Sequence, residues 1–199
     1  MARPRLSEAD EHNARKRLAD LALALYLADG MEGVSLRKLA ESAKVSHTYV
    51  YRYFSSMSEL LVAMRVVCTR QFVAYIREAD DPRDAPRKRL KIMSLAIAQY
   101  GLEHEPQYRL LFALDQPPPD QFPELLQVRQ ELAEHVAQVA SLAQSGTEEE
   151  PRPMVLAHTL WAGVHGILSL HLAGQLVHGH KLDELLSCLL EPLLRAQES

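Results

Sequence analysis

Apolar positions recur with helical spacing along most of the chain, and the pattern is clearest over residues 34–61. The apolar positions i, i+3, i+4 and i+7 of a first short helix are Leu36, Leu39, Ala40 and Ala43. Ser46 is a good N-cap for a second helix over residues 47–54, on which Val50 and Phe54 share one side. Two short helices joined by a tight turn predict a helix-turn-helix, whose second helix enters the DNA major groove.

The same spacing predicts helices along the rest of the chain. Ser7 caps a helix that runs to about residue 29, and a capping box of Ser56 and Glu59 begins a long helix that runs to about residue 80. Five further helices are predicted over residues 86–104, 107–114, 123–143, 154–178 and 182–196. Their separators are a breaker at 80–86, an extended proline-rich linker at 116–123 and a surface loop at 144–153.

No alternating strand pattern stands out, so the predicted fold is all-α with about nine helices. Three of them form an N-terminal helix-turn-helix domain over residues 1–57. About six form a C-terminal helical domain over residues 58–199. A chain of 199 residues with 47% hydrophobic residues can bury a sizeable core in each part.

The charge distribution adds to this division. The net charge of −4 would argue against a generic nucleic-acid binder. Residues 1–57, however, carry nine basic and seven acidic side chains, a balance of +2 that leaves −6 for the remainder. This asymmetry fits a DNA-facing head on an acidic body, although ordinary solvated helix faces would also produce it. Arg3 and Arg5 form a short basic arm that either reaches a minor groove or frays.

The first quarter to third of the chain resembles the DNA-binding domain of the TetR family of bacterial regulators. The matching residues are Gly33-Val34-Ser35, Arg37-Lys38-Leu39-Ala40, Ala43, Val45-Ser46, Tyr51, Tyr53-Phe54 and Glu59-Leu60-Leu61. The resemblance implies a homodimer that binds a double-stranded, near-palindromic operator. The expected DNA-binding residues are Ser35, Arg37, Lys44, Ser46, His47, Thr48, Tyr49, Tyr51, Arg52 and Tyr53.

Within this set, the start of the second helix is expected to reach base edges through His47, Thr48 and Tyr49. The expected phosphate contacts are Ser35, Arg37, Lys44, Tyr51 and Tyr53. Two positions depart from the family pattern. Lys44 stands at a turn position that usually holds glycine, so either the turn differs slightly or Lys44 bears backbone strain. Met57 replaces a usual lysine, so that phosphate contact is either absent or supplied by Lys44.

The C-terminal part resembles one subgroup of TetR-like domains. Trp161, His165 and Gly166 match the Trp-His-Gly signature of that subgroup. In the family, the last two long helices pair between subunits, and here these are the helices over 154–178 and 182–196. Their excess of apolar positions fits both a core and a partner surface, although a monomer core alone would also use them.

The family places a pocket for a small apolar effector inside this domain. The candidate lining residues are Phe72, Tyr75, Met93, Ile97, Tyr100, His104, Phe112, Trp161, His165 and Leu168. Such pockets are mostly apolar with a few polar groups, a role that Tyr100, His104 and His165 could fill. Each residue taken singly also fits an ordinary core position.

Catalytic and cofactor motifs are not evident. The chain has no G-x-S-x-G, H-E-x-x-H, P-loop or G-x-G-x-x-G pattern, so we expect no catalytic residues and no cofactor. Five histidines lie between residues 158 and 180, and the steps 158–165 and 171–178 keep pairs near one helix face. Their spacing favours core or interface histidines over a metal site.

The expected location is the cytoplasm. No signal peptide or membrane-spanning helix is predicted, because charges, His and Gly interrupt every apolar run before about 18 residues. Cys68 and Cys188 are expected to be free thiols.

We therefore predict a dimeric TetR-like transcriptional regulator, a repressor that a small apolar effector releases from its operator. Two alternatives stay open at this point. One is a DNA-binding dimer that takes no ligand, and the other is a helical small-molecule-binding module that does not bind an operator.

Overall fold

Helices account for the regular structure of the computed structural model, which describes residues 7–112, 122–144 and 152–194. Nine α-helices lie within these ranges, and no strand does. They are α1 (Glu8–Asp29), α2 (Leu36–Ala43), α3 (His47–Tyr51), α4 (Met57–Ala79), α5 (Pro86–Glu103), α6 (Glu105–Leu111), α7 (Pro123–Ala143), α8 (Pro153–Leu172) and α9 (Leu182–Leu194). The predicted all-α fold is confirmed.

The start of α1 follows from its sequence. The Ser7 hydroxyl accepts a hydrogen bond from the Asp10 N–H at 3.1 Å, and the Asp10 carboxylate accepts one from the Ser7 N–H at 3.3 Å. This reciprocal capping box satisfies two donors that have no partner inside the helix. The helix ends at Gly30, whose φ of 68° suits a residue without a Cβ.

Chain packing divides the molecule into two compact units. The first unit holds the described residues up to Thr69 together with those between Leu110 and Leu125. Its core includes Leu39, Val50, Phe54 and Leu60, each with no exposed surface. The second unit holds 70–109 and the described residues from 126 onward. The functional division predicted after residue 57 stays a prediction.

Hydrophobic packing also explains why a later segment belongs to the first unit. Val62 and Val66 of α4 form a buried cluster with Leu125, against which Phe122 packs. The buried Arg65 side chain donates to the Leu110 carbonyl oxygen at 3.2 Å. The N-terminal half of α4 is therefore covered by chain from the start of α7 and the end of α6.

The second unit is built around α5, which packs on α8 and α9. The predicted stripe of α5 is buried, with Leu90, Met93, Ile97 and Tyr100 between 1% and 6% exposed. Leu168 of α8 is fully buried beside Gly101 of α5. A Cβ at Gly101 would lie 2.4 Å from a Leu168 methyl carbon, so this glycine permits close approach of the two helices.

The predicted boundaries of three helices were wrong. Helix α3 ends at Tyr51, and residues 52 and 53 form a turn in which the Tyr53 N–H bonds to the Val50 carbonyl at 2.9 Å. Helix α6 begins at Glu105 because the chain turns at His104 and re-enters a helix at once, and it ends at Leu111 rather than at residue 114. Helix α8 ends at Leu172 rather than near residue 178.

The early end of α8 has a local cause. Gly174 takes a φ of 66°, and the Gln175 N–H closes a bond to the Leu170 carbonyl at 2.8 Å, which is a Schellman termination. His178 therefore lies beyond the helix, with a φ of 62°. The predicted pairing of His171 and His178 on one helix face was wrong for this reason.

The predicted linker at 116–123 falls mostly outside the described residues, as do the predicted loop at 144–153 and the arm of Arg3 and Arg5. Within the described ranges, α8 is the one helix that meets the length and composition of a membrane span, with a mean hydropathy of 1.3 over its best window. One such helix is weak evidence, since a helix of a protein core or interface passes the same test.

Candidate nucleic-acid interface

The turn between α2 and α3 is tight because Lys44 adopts the left-handed conformation. Its φ and ψ are 54° and 40°, and its N–H bonds to the Glu41 carbonyl at 3.1 Å. The next residue, Val45, bonds to the Ala40 carbonyl at 3.0 Å. Of the two alternatives left open for Lys44, a changed turn or a strained backbone, the structure has the second, because Lys44 keeps the left-handed conformation without being glycine. Lys44 is exposed at the end of α2.

Both helices of the motif begin with a serine cap. Ser35 accepts a hydrogen bond from the Lys38 N–H at 3.0 Å, and Ser46 accepts one from the Tyr49 N–H at 3.1 Å. These bonds satisfy the first free N–H groups of each helix and fix where it starts. Ser46 is therefore occupied as a cap of α3.

The exposed face of α3 consists of polar and aromatic side chains. His47 and Thr48 are exposed, and Tyr51 is 47% exposed. The His47 ring meets the Tyr51 ring edge to face at 4.8 Å between centroids. Val50, in contrast, is fully buried, so the helix has one anchored side and one side open to a partner.

Tyr49 and Tyr53 form a second ring pair, with centroids 5.1 Å apart. The Tyr53 hydroxyl lies 3.5 Å from the Tyr49 hydroxyl and donates a hydrogen bond to it. This hydrogen bond, more than burial, raises the pKa of Tyr53. The two hydroxyls thus lie side by side at the partly exposed edge of α3.

The basic residues of the set differ in their surroundings. Arg37 lies 3.6 Å from Glu41 one turn along α2, and its side chain is 78% exposed. Arg52 instead forms an ion pair with Glu11 of α1. Such an exposed pair contributes little to stability by itself, but it directs the guanidinium toward α1.

Several residues that hold this motif in place were missed from the sequence. Besides Glu11 of α1, Arg15 places its guanidinium 4.9 Å from the Phe54 ring centroid. Lys38 was also missed as a structural residue, since its ammonium group donates to the Glu32 carbonyl at 2.7 Å. Helical spacing relates residues three or four apart, and could not pair Glu11 with a residue 41 positions away.

The candidate effector residues of the second unit are joined by ring contacts. Phe72 and Tyr75 each lie edge to face with Tyr100, with centroids 5.1 and 5.3 Å apart. His104 lies 4.7 Å from Tyr100. Three further candidate effector residues, Met93, Ile97 and Leu168, are buried in the same unit. Phe112, in contrast, belongs to the first unit.

Tyr108 extends this aromatic cluster and was missed from the sequence. Its ring lies 6.4 Å from Phe72, and its hydroxyl is 2.7 Å from His165 Nδ1. Burial raises the pKa of Tyr108 and lowers the pKa of His165, and both shifts favour the uncharged form of the side chain. Trp161 stacks on His165 at 5.4 Å between centroids and is 37% exposed.

Metal and thiol chemistry have little support in the parts of the chain that the structure describes. No group of three or more His, Cys, Asp or Glu residues there could hold a metal ion. Cys68 and Cys188 are free, and burial raises the pKa of Cys68 to about 12. A thiol with so high a pKa is inert at neutral pH.

Comparison with known proteins places these features in a family. Residues 18–64 match the N-terminal model of bacterial regulatory proteins of the tetR family. Residues 90–193, just over half of the chain, match the tetracyclin repressor-like C-terminal domain. A capped helix-turn-helix followed by this domain defines a bacterial regulatory protein. The chain belongs to the TetR family, which confirms the predicted resemblance, while assignment to the Trp-His-Gly subgroup stays a prediction.

Two curated relatives are similar to part of the chain. The HTH-type transcriptional repressor KstR of Rhodococcus jostii (strain RHA1) is 35% identical over 94 residues, which are 47% of this chain and 42% of the relative. The HTH-type nicotine-responsive transcriptional repressor HdnoR of Paenarthrobacter nicotinovorans is 33% identical over 96 residues, 48% of each chain. The matched region thus spans less than half the length of either relative.

Solved structures share the fold at low sequence identity. The TetR family transcriptional regulator PfmR from Thermus thermophilus superposes with a TM-score of 0.61 and 18% identity, over 92% of this chain and 100% of that one. At this identity the likeness concerns the fold alone.

Proposed function

We propose that this protein is a transcriptional repressor that binds a near-palindromic operator as a homodimer, in the cytoplasm, without catalytic activity. The observation that carries the proposal is the geometry of α3. Its N-terminus is capped by Ser46, one side is anchored by Val50, and its other side exposes His47 and Thr48. Each head would insert α3 into a major groove, with the two heads about one helical turn, ~34–36 Å, apart.

The division of roles follows from position and chemistry. His47, Thr48 and Tyr49 lie in the first turn of α3, the part that reaches base edges in helix-turn-helix proteins. Arg37 and Lys44 are cations on α2 and at its end, where they would contact phosphates beside the groove. Hydrogen bonding of the tyrosine pair makes Tyr49 the best defined of the base-contacting candidates.

The second unit would hold the effector. Its aromatic cluster offers apolar rings together with the Tyr108–His165 hydrogen bond, a combination suited to a small apolar molecule with one polar group. HdnoR is described as nicotine-responsive, which supports a small-molecule response in a relative. An effector that binds best to a conformation in which the two heads are wrongly spaced would weaken operator binding. Because the two equilibria are linked, operator DNA would weaken effector binding by the same factor.

Substitution in α3 tests the proposed readout. His47→Ala and Tyr49→Ala should each relax the preference at one base pair of a selected operator by about 1–3 kcal/mol. Arg37→Ala should instead weaken binding to every duplex and lower the salt slope by about 0.9. Titrations of matched and single-mismatch duplexes at several salt concentrations measure both quantities. A Tyr49→Ala protein with the unsubstituted base preference would refute this assignment.

A further inference from the structure

Glu11 lies outside the motif, yet it contacts a residue directly beside α3. Its carboxylate pairs with the guanidinium of Arg52, the residue that follows α3. The Arg52 guanidinium lies 5.9 Å from the centroid of the Tyr53 ring. Tyr53 in turn donates to the Tyr49 hydroxyl at 3.5 Å. One continuous series of contacts thus joins α1 to the first turn of α3.

Helix α3 needs such support because it is short. It has only five residues, too few to be rigid by itself. Val50 and Phe54, both fully buried, anchor one side of this segment, but neither contacts the partly exposed edge on which the Tyr49 hydroxyl lies. The contacts from α1 through Arg52 and Tyr53 reach this edge and restrain the direction in which the Tyr49 hydroxyl points.

The ion pair also changes what Arg52 can do on DNA. A guanidinium that binds a carboxylate has its charge compensated, so contact with a phosphate would require it to leave or share Glu11. If Arg52 were a phosphate ligand, Glu11 would compete with DNA and reduce affinity for every sequence. If Arg52 instead supports Tyr53, Glu11 increases the ratio of the affinity for the operator to the affinity for other DNA sequences.

We propose that Glu11 is a positioning residue for DNA recognition, which acts through Arg52 and Tyr53 to orient Tyr49 toward its base. This inference rests on the proposed function. It reassigns Arg52, predicted from the sequence as a DNA contact, to a support for α3. Removal of any member of the series should therefore affect sequence preference more than overall affinity.

The test compares Glu11→Gln with Glu8→Gln in the full-length protein. Both substitutions remove one negative charge from the first turn of α1, but only Glu11 is paired with Arg52. Fluorescence anisotropy would measure affinity for a selected operator and for a scrambled duplex of equal length at several salt concentrations. Glu11→Gln should lower the ratio of the two affinities about three- to tenfold with an unchanged salt slope, the coupling expected within one contact network.

The same substitution in a Tyr49→Ala protein distinguishes a positioning role of Glu11 from a purely structural one. In a Tyr49→Ala protein, Glu11→Gln should have no further effect on the affinity ratio, because the residue it positions is gone. The melting temperature of Glu11→Gln should stay close to that of the unsubstituted protein, since the pair is exposed. Tyr53→Phe, which removes the hydroxyl and keeps the ring, should reproduce the loss of preference.

Three results would overturn the inference. Tighter binding of Glu11→Gln to both duplexes with a steeper salt slope would make Arg52 a phosphate ligand that Glu11 restrains. An equal loss of preference with and without Tyr49 would make Glu11 a structural residue only. An unchanged affinity ratio in Glu11→Gln would show that Glu11 has no role in DNA recognition. If the unsubstituted protein itself prefers no sequence, the proposed function fails first, and that outcome is visible before any variant is made.

Discussion

At the scale of single residues, Lys44 combines a backbone conformation that closes a turn with a charge that the proposed DNA contact would use. A left-handed φ of 54° closes the turn of the motif, at a cost of about 1–2 kcal/mol for a residue with a Cβ. Glycine would avoid this cost but would carry no charge. The strained lysine places a cation between the two helices that would flank a DNA backbone.

Replacement of Lys44 separates these two effects. Lys44→Gly should stabilise the protein by about 1 kcal/mol and raise its melting temperature by about 2–4 °C, because glycine adopts the turn without strain. It should also lower the salt slope of operator binding by about 0.9. Thermal unfolding and salt titrations measure both. Lys44→Arg, which keeps charge and strain, is the control, and a less stable Lys44→Gly protein would contradict this explanation.

Residue-level chemistry was only partly visible in the sequence. The caps Ser7 and Ser46 could be predicted because their partners lie three residues away. The pairs of Arg52 with Glu11 and of Tyr108 with His165 could not, since 41 and 57 residues separate their members. Local patterns carry information about local bonds, whereas these pairs depend on how helices pack.

At the scale of elements, one charge cluster of the second unit joins the C-terminal end of α4 to α5 and α7. Asp80 follows α4 and binds Arg89 of α5 through two hydrogen bonds of 2.7 and 2.8 Å. His135 of α7 donates from Nε2 to the same carboxylate at 2.9 Å. The Asp80 side chain is only 3% exposed, so its charge depends on these partners. The hydrogen bond from Arg89, above other causes, lowers the pKa of Asp80.

Asp80→Asn should therefore destabilise the protein by about 3–5 kcal/mol at pH 7, because Arg89 would keep a buried charge without a carboxylate. The control is Asp81→Asn. Its pair with Arg83 is exposed and screened by solvent, so its loss should cost far less than the loss of Asp80. Urea unfolding measures both differences. Equal stability of the two variants would show that the Asp80 cluster contributes no more than a surface pair.

The lowered pKa gives the same cluster a defined pH dependence. Unfolded Asp has a pKa near ~3.9, and the folded pKa lies below it. The stabilisation by Asp80 is then fully present above about pH 4 and is lost as the pH falls through the folded pKa. Between those pH values the stability of Asp80→Asn should fall less steeply than that of the unsubstituted protein, which urea unfolding at each pH would measure.

Element boundaries were predicted well where a cap or proline marks them. Helices α4, α5 and α7 begin at the residues expected from Ser56, Pro86 and Pro123. Helix α8 was predicted too long because its apolar pattern continues past Gly174, whose positive φ ends the helix. A glycine inside an apolar run signals a possible end without deciding it, since packing determines whether the chain turns there.

At the scale of the whole molecule, the proposed dimer depends on apolar surface left uncovered on α8. Leu170 and Val155, which lie on one side of the helix, are 48% and 46% exposed, and only 28% of the apolar window of this helix is buried. A second copy that packs on this face would remove it from water. Gly166 lies on the same helix, with no atom within 4 Å of a Cβ built on it, and would permit close approach of the partner.

Leu170→Arg should shift the protein toward monomer and weaken operator binding, because two linked heads bind far better than one. Leu142→Arg makes the same change at a leucine of α7 that is 66% exposed, and should leave assembly unaltered. Analytical ultracentrifugation over a range of concentrations measures the assembly of each variant. A Leu170→Arg protein that assembles like the unsubstituted one would place the interface elsewhere.

Recognition of a specific operator by α3 is the property on which the proposed function depends. The most direct measurement is selection of genomic fragments by the purified protein at fixed, near-physiological salt, followed by sequencing. Specific recognition by a dimer predicts enrichment of a near-palindrome whose half-sites lie about one helical turn apart. Recovery of fragments in proportion to their abundance, from protein shown to be free of bound ligand, would contradict it.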